Sequence, residues 1–315
     1  MVDKTLAQKD KRFQEGFFKK TTNTALVGIL IGISYLPFWV LWRISDLFYV
    51  LVRYVLKYRR KVIFDNLTHA FPEKSTVEIK VIAGKFYRHF CDVFVETIKA
   101  YSMSEKEFSK RLQFSNVAEF MDYYDNNRSL VLFGMHYNNW EWSSFSPVHG
   151  KHDVIFVYNP IRGNAAFERF ITHVRSRWGA KTIAVHRSSR IVLTFGKTEK
   201  PAAIWLGADQ TPPANSKFWT LFFNREAPFF SGPEKIAHYS NQPVFLHVTR
   251  KIARSKYVVD FIPLFDKPNE VEDPNQILLS YVRKIEEVIS EAPEYYLWSH
   301  RRWKHKRPEG IELTL

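Results

Sequence analysis

From Ser129 onward, short apolar runs alternate with stretches of helical periodicity, and this alternation restricts the fold more than any other feature of the chain. The runs at 129–133, 154–158 and 182–185 are each followed by a helical stretch, near Trp140, over 165–178 and over 190–195. Further runs lie at 202–206, 243–248 and 257–262, and an amphipathic helix is expected over 275–290. Repeated strand and helix predict an α/β fold, with a mostly parallel central sheet flanked by helices and functional residues just after the strands. Upstream, Val81, Ile82, Phe86, Phe90, Val93, Phe94 and Ile98 recur at helical spacing, which predicts a long helix over 78–101 with Cys91 in the core.

The start of the chain has a different texture. Lys4, Lys9, Lys11, Arg12, Lys19 and Lys20 precede an apolar run over 25–42 that is interrupted only by Ser34 and Pro37. As one helix it would reach roughly 27 Å, against a hydrocarbon layer of roughly 30 Å, so the run predicts a membrane anchor, either transmembrane or docked at the interface, with a buried core helix as the plainer alternative. Lys and Arg flank it almost equally, which leaves its orientation open. After it, Arg43, Asp46, Arg53, Lys57 and Arg60 fall on one side of a helical wheel and predict a basic stripe. The expected division is a basic, membrane-anchoring segment over 1–62 and a catalytic domain over 63–315.

Charge and composition narrow the partners. Among 315 residues, 46 Lys and Arg against 32 Asp and Glu leave a net charge of +14, and there are 27 Phe, 15 Tyr and 9 Trp. A basic, aromatic chain suits nucleic acid or a lipid headgroup layer, and the apolar anchor favours the lipid, so no nucleic acid is expected. With Cys91 as its one cysteine, the chain cannot form an internal disulfide or a thiolate cage, and no metal is expected.

The strongest candidate for chemistry is the segment from Gly134 to Glu141, directly after a predicted strand. His136 and Glu141 are five residues apart, which on a single helix would turn them about 140° from each other. They can pair only if a helix begins between them, and Asn138 and Asn139 are good residues to cap it. Glu141 in the first helical turn would stay ionised and could orient His136 as a general base for an attacking hydroxyl. Of the eleven histidines, His136 alone has an acidic residue at this spacing.

His136 and Glu141 together resemble the HX4D/E signature of the glycerolipid acyltransferase superfamily, and in the Glu form with Asn-Trp before it, the bacterial lipid A late acyltransferases. Other segments agree in order: Asn66-Leu67 with Phe71-Pro72-Glu73; Asn159-Pro160 followed by Asn164, Glu168, Arg175 and Arg177; Ala208-Asp209-Gln210; and the aromatic stretch 218–230. The block from Ala292 to Lys304, with His300, Arg301 and Arg302, resembles the family's terminal WxHRRxK motif. Asn224 and the turn at 230–232 depart from the family pattern, so acyl-chain length and acceptor choice do not carry over.

The resemblance implies acyl transfer from an acyl carrier protein thioester to a hydroxyl of an anionic glycolipid, a lipid A precursor, on the cytoplasmic face of a bacterial inner membrane. It implies His136 as base with Glu141 as its orienter, and no cofactor. Substrate-binding roles fall to Asn139, Asn164, Glu168, Arg175, Arg177, Arg187, Asp209, Arg301 and Arg302, the arginines as planar forks for phosphate. The phenylalanines of 218–230 would be either walls of an acyl pocket or plain core. A lysophospholipid or aminolipid acceptor is the neighbouring alternative, and a non-catalytic lipid-binding protein the more distant one.

Overall fold

The computed structural model describes residues 15–148, 151–185 and 200–315. Helix α1 (Phe17–Ser34) and helix α2 (Phe38–Val50, continued by one wide turn over Leu51–Val55) take up the apolar run at the start of the chain. The run is therefore not one rod. Pro37, extended at φ −67° and ψ 155°, has no N–H for a helical hydrogen bond and starts a second helix in a new direction. Among the described residues no helix is long and apolar enough to cross a membrane, so the transmembrane alternative finds no support. Phe17, Phe18, Trp39, Leu47, Val55 and Leu56 are nevertheless more than half exposed.

Lys57 and Arg59, both in the left-handed region (φ 48° and 47°), end that helical stretch and turn the chain into α3 (Arg60–Ala70). The basic stripe expected across 43–60 is thus broken: Arg43 and Arg53 precede the turn and Arg60 follows it. Helix α4 (Thr76–Ala100) starts at a reciprocal cap, Ser75 accepting from the Glu78 N–H while Glu78 accepts from the Ser75 N–H. Short helices α5 (Glu105–Ser109) and α6 (Val117–Asp125) follow.

The central sheet has seven strands in the order β1-β9-β8-β2-β5-β3-β4: β1 (Leu112–Phe114), β2 (Leu130–Gly134), β3 (Asp153–Tyr158), β4 (Lys181–Ala184), β5 (Ala202–Gly207), β8 (Val244–Ala253) and β9 (Lys256–Phe265). Strands β8, β2, β5, β3 and β4 are parallel, as the alternation predicts, while β9 returns antiparallel to β8 and carries β1 with it. Every side chain of β2 is buried, so the strand reads as a continuous apolar run rather than an alternating one. Helix α7 (Ala165–Ser176) packs on one face, and α4 and α9 (Asn275–Glu291) on the other. On α9, Leu278, Tyr281, Val282, Ile285 and Ile289 recur at helical spacing and are fully buried.

The aromatic stretch forms a separate hairpin, β6 (Trp219–Phe222) and β7 (Arg225–Pro228), joined by Phe223 and Asn224 with φ of 47° and 60°. Two left-handed residues match the twist of a tight hairpin, and Asn224 tolerates that conformation. Phe218, Phe222, Phe223 and Phe229 are buried in the core, the plainer of their two readings. Helix α8 (Pro233–Ser240) then leads into β8.

Candidate active site

Strands β2 and β5 are parallel neighbours in a register that sets Gly134 beside Gly207. His136 lies two residues beyond the first glycine and Asp209 two beyond the second, so the register brings them together at the carboxyl ends of the two strands. Both glycines face the Trp205 indole, and the second also touches the histidine ring. A Cβ on Gly134 would strike the indole of Trp205, and one on Gly207 would lie 3.5 Å from His136 Cε1.

Asp209 holds His136 twice. The ring Nδ1 is 2.7 Å from Asp209 Oδ1, and the His136 backbone N–H donates to Oδ2 over 3.0 Å. Burial alone would push the Asp209 carboxyl up, but the charge and hydrogen bonds of His136 bring it below the usual aspartate value. An ionised Asp209 fixes the tautomer with the proton on Nδ1 and leaves Nε2 as the basic atom. Among the described residues, Nε2 has one hydrogen-bond partner, the side-chain amide of Gln210, at 3.0 Å. The His136 side chain keeps 20% of its exposure while Asp209 keeps 2%, an open base on a closed anion.

Glu141 stands in the first turn of a 3-10 helix (Trp140–Val148) that begins after His136, as the spacing requires. Sequence expects Glu141 to orient His136, but the hydrogen bond of the ring Nδ1 goes to Asp209, and none between His136 and Glu141 is found among the described residues. Both oxygens of Glu141 are instead taken by Arg175, Nε at 2.8 Å and Nη2 at 2.6 Å, and Trp140 Nε1 donates to Oε1 over 3.1 Å. Burial would raise the Glu141 carboxyl; Arg175 outweighs it, with smaller help from His136 and Trp140, and the net shift is downward.

Asn139 has no exposed surface. Its amide donates to Glu96 Oε2 over 2.7 Å and its carbonyl accepts from the Trp142 N–H, so it caps and pins the turn instead of lining a substrate site. Glu96, on α4, also accepts from Ser255 and Tyr257 at 2.7 Å each. No sequence pattern marks Glu96, which lies inside an apolar helix. Burial and neighbouring Asp92 push its carboxyl up; the hydroxyl donors and Lys251 pull it back, and the net shift is upward.

The other expected residues divide by location. Asn164 caps α7 by accepting from the Phe167 N–H, and Glu168 accepts from the Tyr158 hydroxyl. Arg177 donates to the carbonyls of Ala100 and Tyr101, capping the end of α4. Arg175 is the partner of Glu141, so its fork is not free for phosphate. Arg187 lies outside the described residues.

The terminal block folds back over the turn that carries His136. Leu297 N–H donates to the His136 carbonyl, Asn138 N–H donates to the Tyr295 carbonyl, and Tyr137 bridges Tyr296. This leaves Arg301 exposed and Arg302 1% exposed. The Arg302 guanidinium has no hydrogen-bond partner among the described residues and sits over Phe229 at 4.1 Å and Phe222 at 5.5 Å. Burial lowers its pKa to about 10, with Tyr296 and Asp209 opposing. His300, beside it, is lowered to about 4, chiefly by burial. No group of residues suited to a metal is found among the described residues.

A histidine base, a buried carboxylate behind it and a second ionised pair at its flank make an arrangement able to activate a hydroxyl. Comparison with known proteins points the same way. The chain is 24% identical to the lipid A biosynthesis lauroyltransferase of Escherichia coli K12 over 287 residues, 90% of this chain and 92% of the relative. It is 26% identical to the E. coli palmitoleoyltransferase of lipid A biosynthesis over 90% of this chain and 91% of that one, with the same figures for a lipid A biosynthesis acyltransferase of Shigella flexneri. The sequence profile of the bacterial lipid A biosynthesis acyltransferases matches residues 11–305, which embrace the first two helices, the His136 turn and the terminal block, and the chain belongs to that family of O-acyltransferases.

Proposed function

We propose that this protein moves a fatty acyl chain from an acyl carrier protein thioester to a hydroxyl of a lipid A precursor by direct attack. His136 Nε2 takes the proton of the acceptor hydroxyl as its oxygen bonds to the thioester carbonyl carbon. The tetrahedral oxyanion then collapses, the carbon–sulfur bond breaks, and the leaving thiolate recovers a proton from the imidazolium. Asp209 stabilises that imidazolium through Nδ1. Glu141 and Arg175 keep the adjacent turn in place and add a fixed field at the ring.

The observation that carries this reading is the His136–Asp209 contact, which engages Nδ1 and leaves Nε2 to the neutral Gln210 amide on a partly exposed ring. Arg301 and Lys304, exposed on the block that folds over the turn, are the forks and charges available to acceptor phosphates. The exposed apolar residues of α1 and α2 suit a one-sided dock on the cytoplasmic face of the inner membrane, where both oily substrates are at hand. The test is purified protein with labelled acyl carrier protein thioester and a panel of acceptors, including lipid A precursors, lysophospholipid and aminolipid. Transfer to a lipid A precursor that is lost in His136→Ala is the expected result; transfer at wild-type rate in that variant refutes His136 as the base.

A further inference from the structure

Where the first helices meet α4, a groove of about 430 Å³ is lined by Tyr49, Arg53, Val77, Lys80, Gly84, Lys85 and Arg88 among others. Its chemistry is one-signed. Arg53 and Arg88 both lie over the Tyr49 ring, at 5.6 Å and 4.6 Å, and Arg53 also donates to the Tyr49 hydroxyl. Arg88 meets Asp46 at 3.2 Å and Lys85 meets Glu294 at 3.5 Å, while Arg53 and Lys80 have no acidic partner among the described residues. The guanidinium of Arg53 occupies the place a side chain would take at Gly84: a Cβ there would collide with Nη1 and stand 3.0 Å from Cζ and Nη2.

The rim of the groove is apolar. Val77 and Val81 are 69% and 53% exposed, and Tyr54, 56% exposed, sits edge-on to Tyr49 and under Arg53, joining the groove to the bare residues Val50, Leu51 and Val55. Two arginine forks on an aromatic platform match the oxygens of a phosphate. Flanking bare valines and leucines would be ill matched to an acidic protein helix but well matched to acyl chains. We infer that this groove binds the headgroup phosphate of an anionic membrane phospholipid, separately from the catalytic site, and so seats the protein in the leaflet. The inference adds to the membrane dock proposed above, and its test needs no acyl transfer.

The test is flotation of the full-length protein with phosphatidylcholine vesicles, with and without phosphatidylglycerol. Wild type should prefer the anionic vesicles by about tenfold or more, as loss of even two basic contacts of about 1 kcal/mol each would imply. Arg53→Gln with Arg88→Gln should abolish most of that preference. Gly84→Ala is the sharper variant, because it removes no charge and only displaces the Arg53 fork; it should lose several-fold of the preference while its melting temperature and net charge stay at wild type. Full preference in Gly84→Ala would mean diffuse charge attraction and would sink the site. So would a thermal shift with inorganic phosphate alone that Gly84→Ala removes, or acyl carrier protein binding lost in the double variant while vesicle binding persists. Each of these outcomes leaves the assignment of His136 untouched.

Discussion

Asp209 accepts two hydrogen bonds from His136, one from the ring and one from the main chain, although 73 residues separate them in sequence. A carboxylate so placed does what a hydroxyl-activating histidine needs, fixing the ring and compensating the charge it acquires. Asp209→Asn keeps the size of the side chain but removes the anion and reverses one hydrogen-bonding edge. We expect turnover to fall by about 100-fold or more, the span that positioned general base catalysis supplies. Steady-state kinetics with acyl carrier protein thioester measure it, and circular dichroism should show the fold unchanged.

The route by which these two residues meet explains what the sequence discloses and what it hides. Both apolar runs, 130–134 and 202–207, end in glycine, and both carry a polar residue two places later. That symmetry is visible, but it becomes a contact only if the strands are parallel neighbours in register, which needs the sheet order. Glu141 is closer in sequence and takes the orienting role by proximity; in space Arg175, one helix away, takes its oxygens first. Strand positions and the long helices are legible from periodicity. The return of β9 and the β6–β7 hairpin are less so, because aromatic runs fit either a pocket wall or a core. Pro37 is legible too, and it decides against a continuous span more strongly than the length of the apolar run argues for one.

Glu141 and Arg175 form a partly buried bidentate pair, with side-chain exposures of 10% and 20%. Removing one partner leaves an uncompensated charge. Glu141→Gln should therefore destabilise the fold by about 3 kcal/mol, and Glu141→Gln with Arg175→Gln should recover most of that loss. Urea unfolding of the two single variants and the double variant gives the coupling. An additive double variant would show that the two side chains do not support each other.

Glu96 joins α4 to the His136 turn through Asn139 and to the β8–β9 turn through Ser255 and Tyr257. Glu96→Ala would leave three buried donors without an acceptor, each costing about 1–3 kcal/mol. We expect a strongly destabilised protein whose remaining folded fraction has lost turnover, because the turn bearing His136 is no longer pinned. Glu96→Gln, able to accept two of those bonds, should fall between. Thermal denaturation followed by activity per folded molecule separates the two effects.

Acid should weaken the fold before it protonates the site carboxylates. His247, buried on β8 between Trp205 and Phe261, has its pKa lowered to about 4, chiefly by burial. A folded value below the unfolded one of about 6.5 means that stability is complete above pH 6.5 and is lost as the pH falls toward 4, by about 2 kcal/mol at pH 5 for this residue. His247→Phe should flatten that part of the stability profile and leave the profile above pH 7 in place. Denaturant midpoints across this pH range test it; an unaltered slope would place the titration elsewhere.

Arg302 poses the opposite question to Glu141, because its guanidinium is buried with no hydrogen-bond partner among the described residues, held over Phe229 and within electrostatic reach of Asp209. A buried charge in that state costs several kcal/mol, and replacing it with an apolar side chain of similar length is often neutral or stabilising. Arg302→Met should thus melt at or above the wild-type temperature. Removing a positive charge within electrostatic reach of Asp209 should lower turnover. A rise in stability together with that loss would mean the arginine is kept for the reaction at the expense of the fold. Lower stability with unchanged turnover per folded molecule would mean that it serves packing alone.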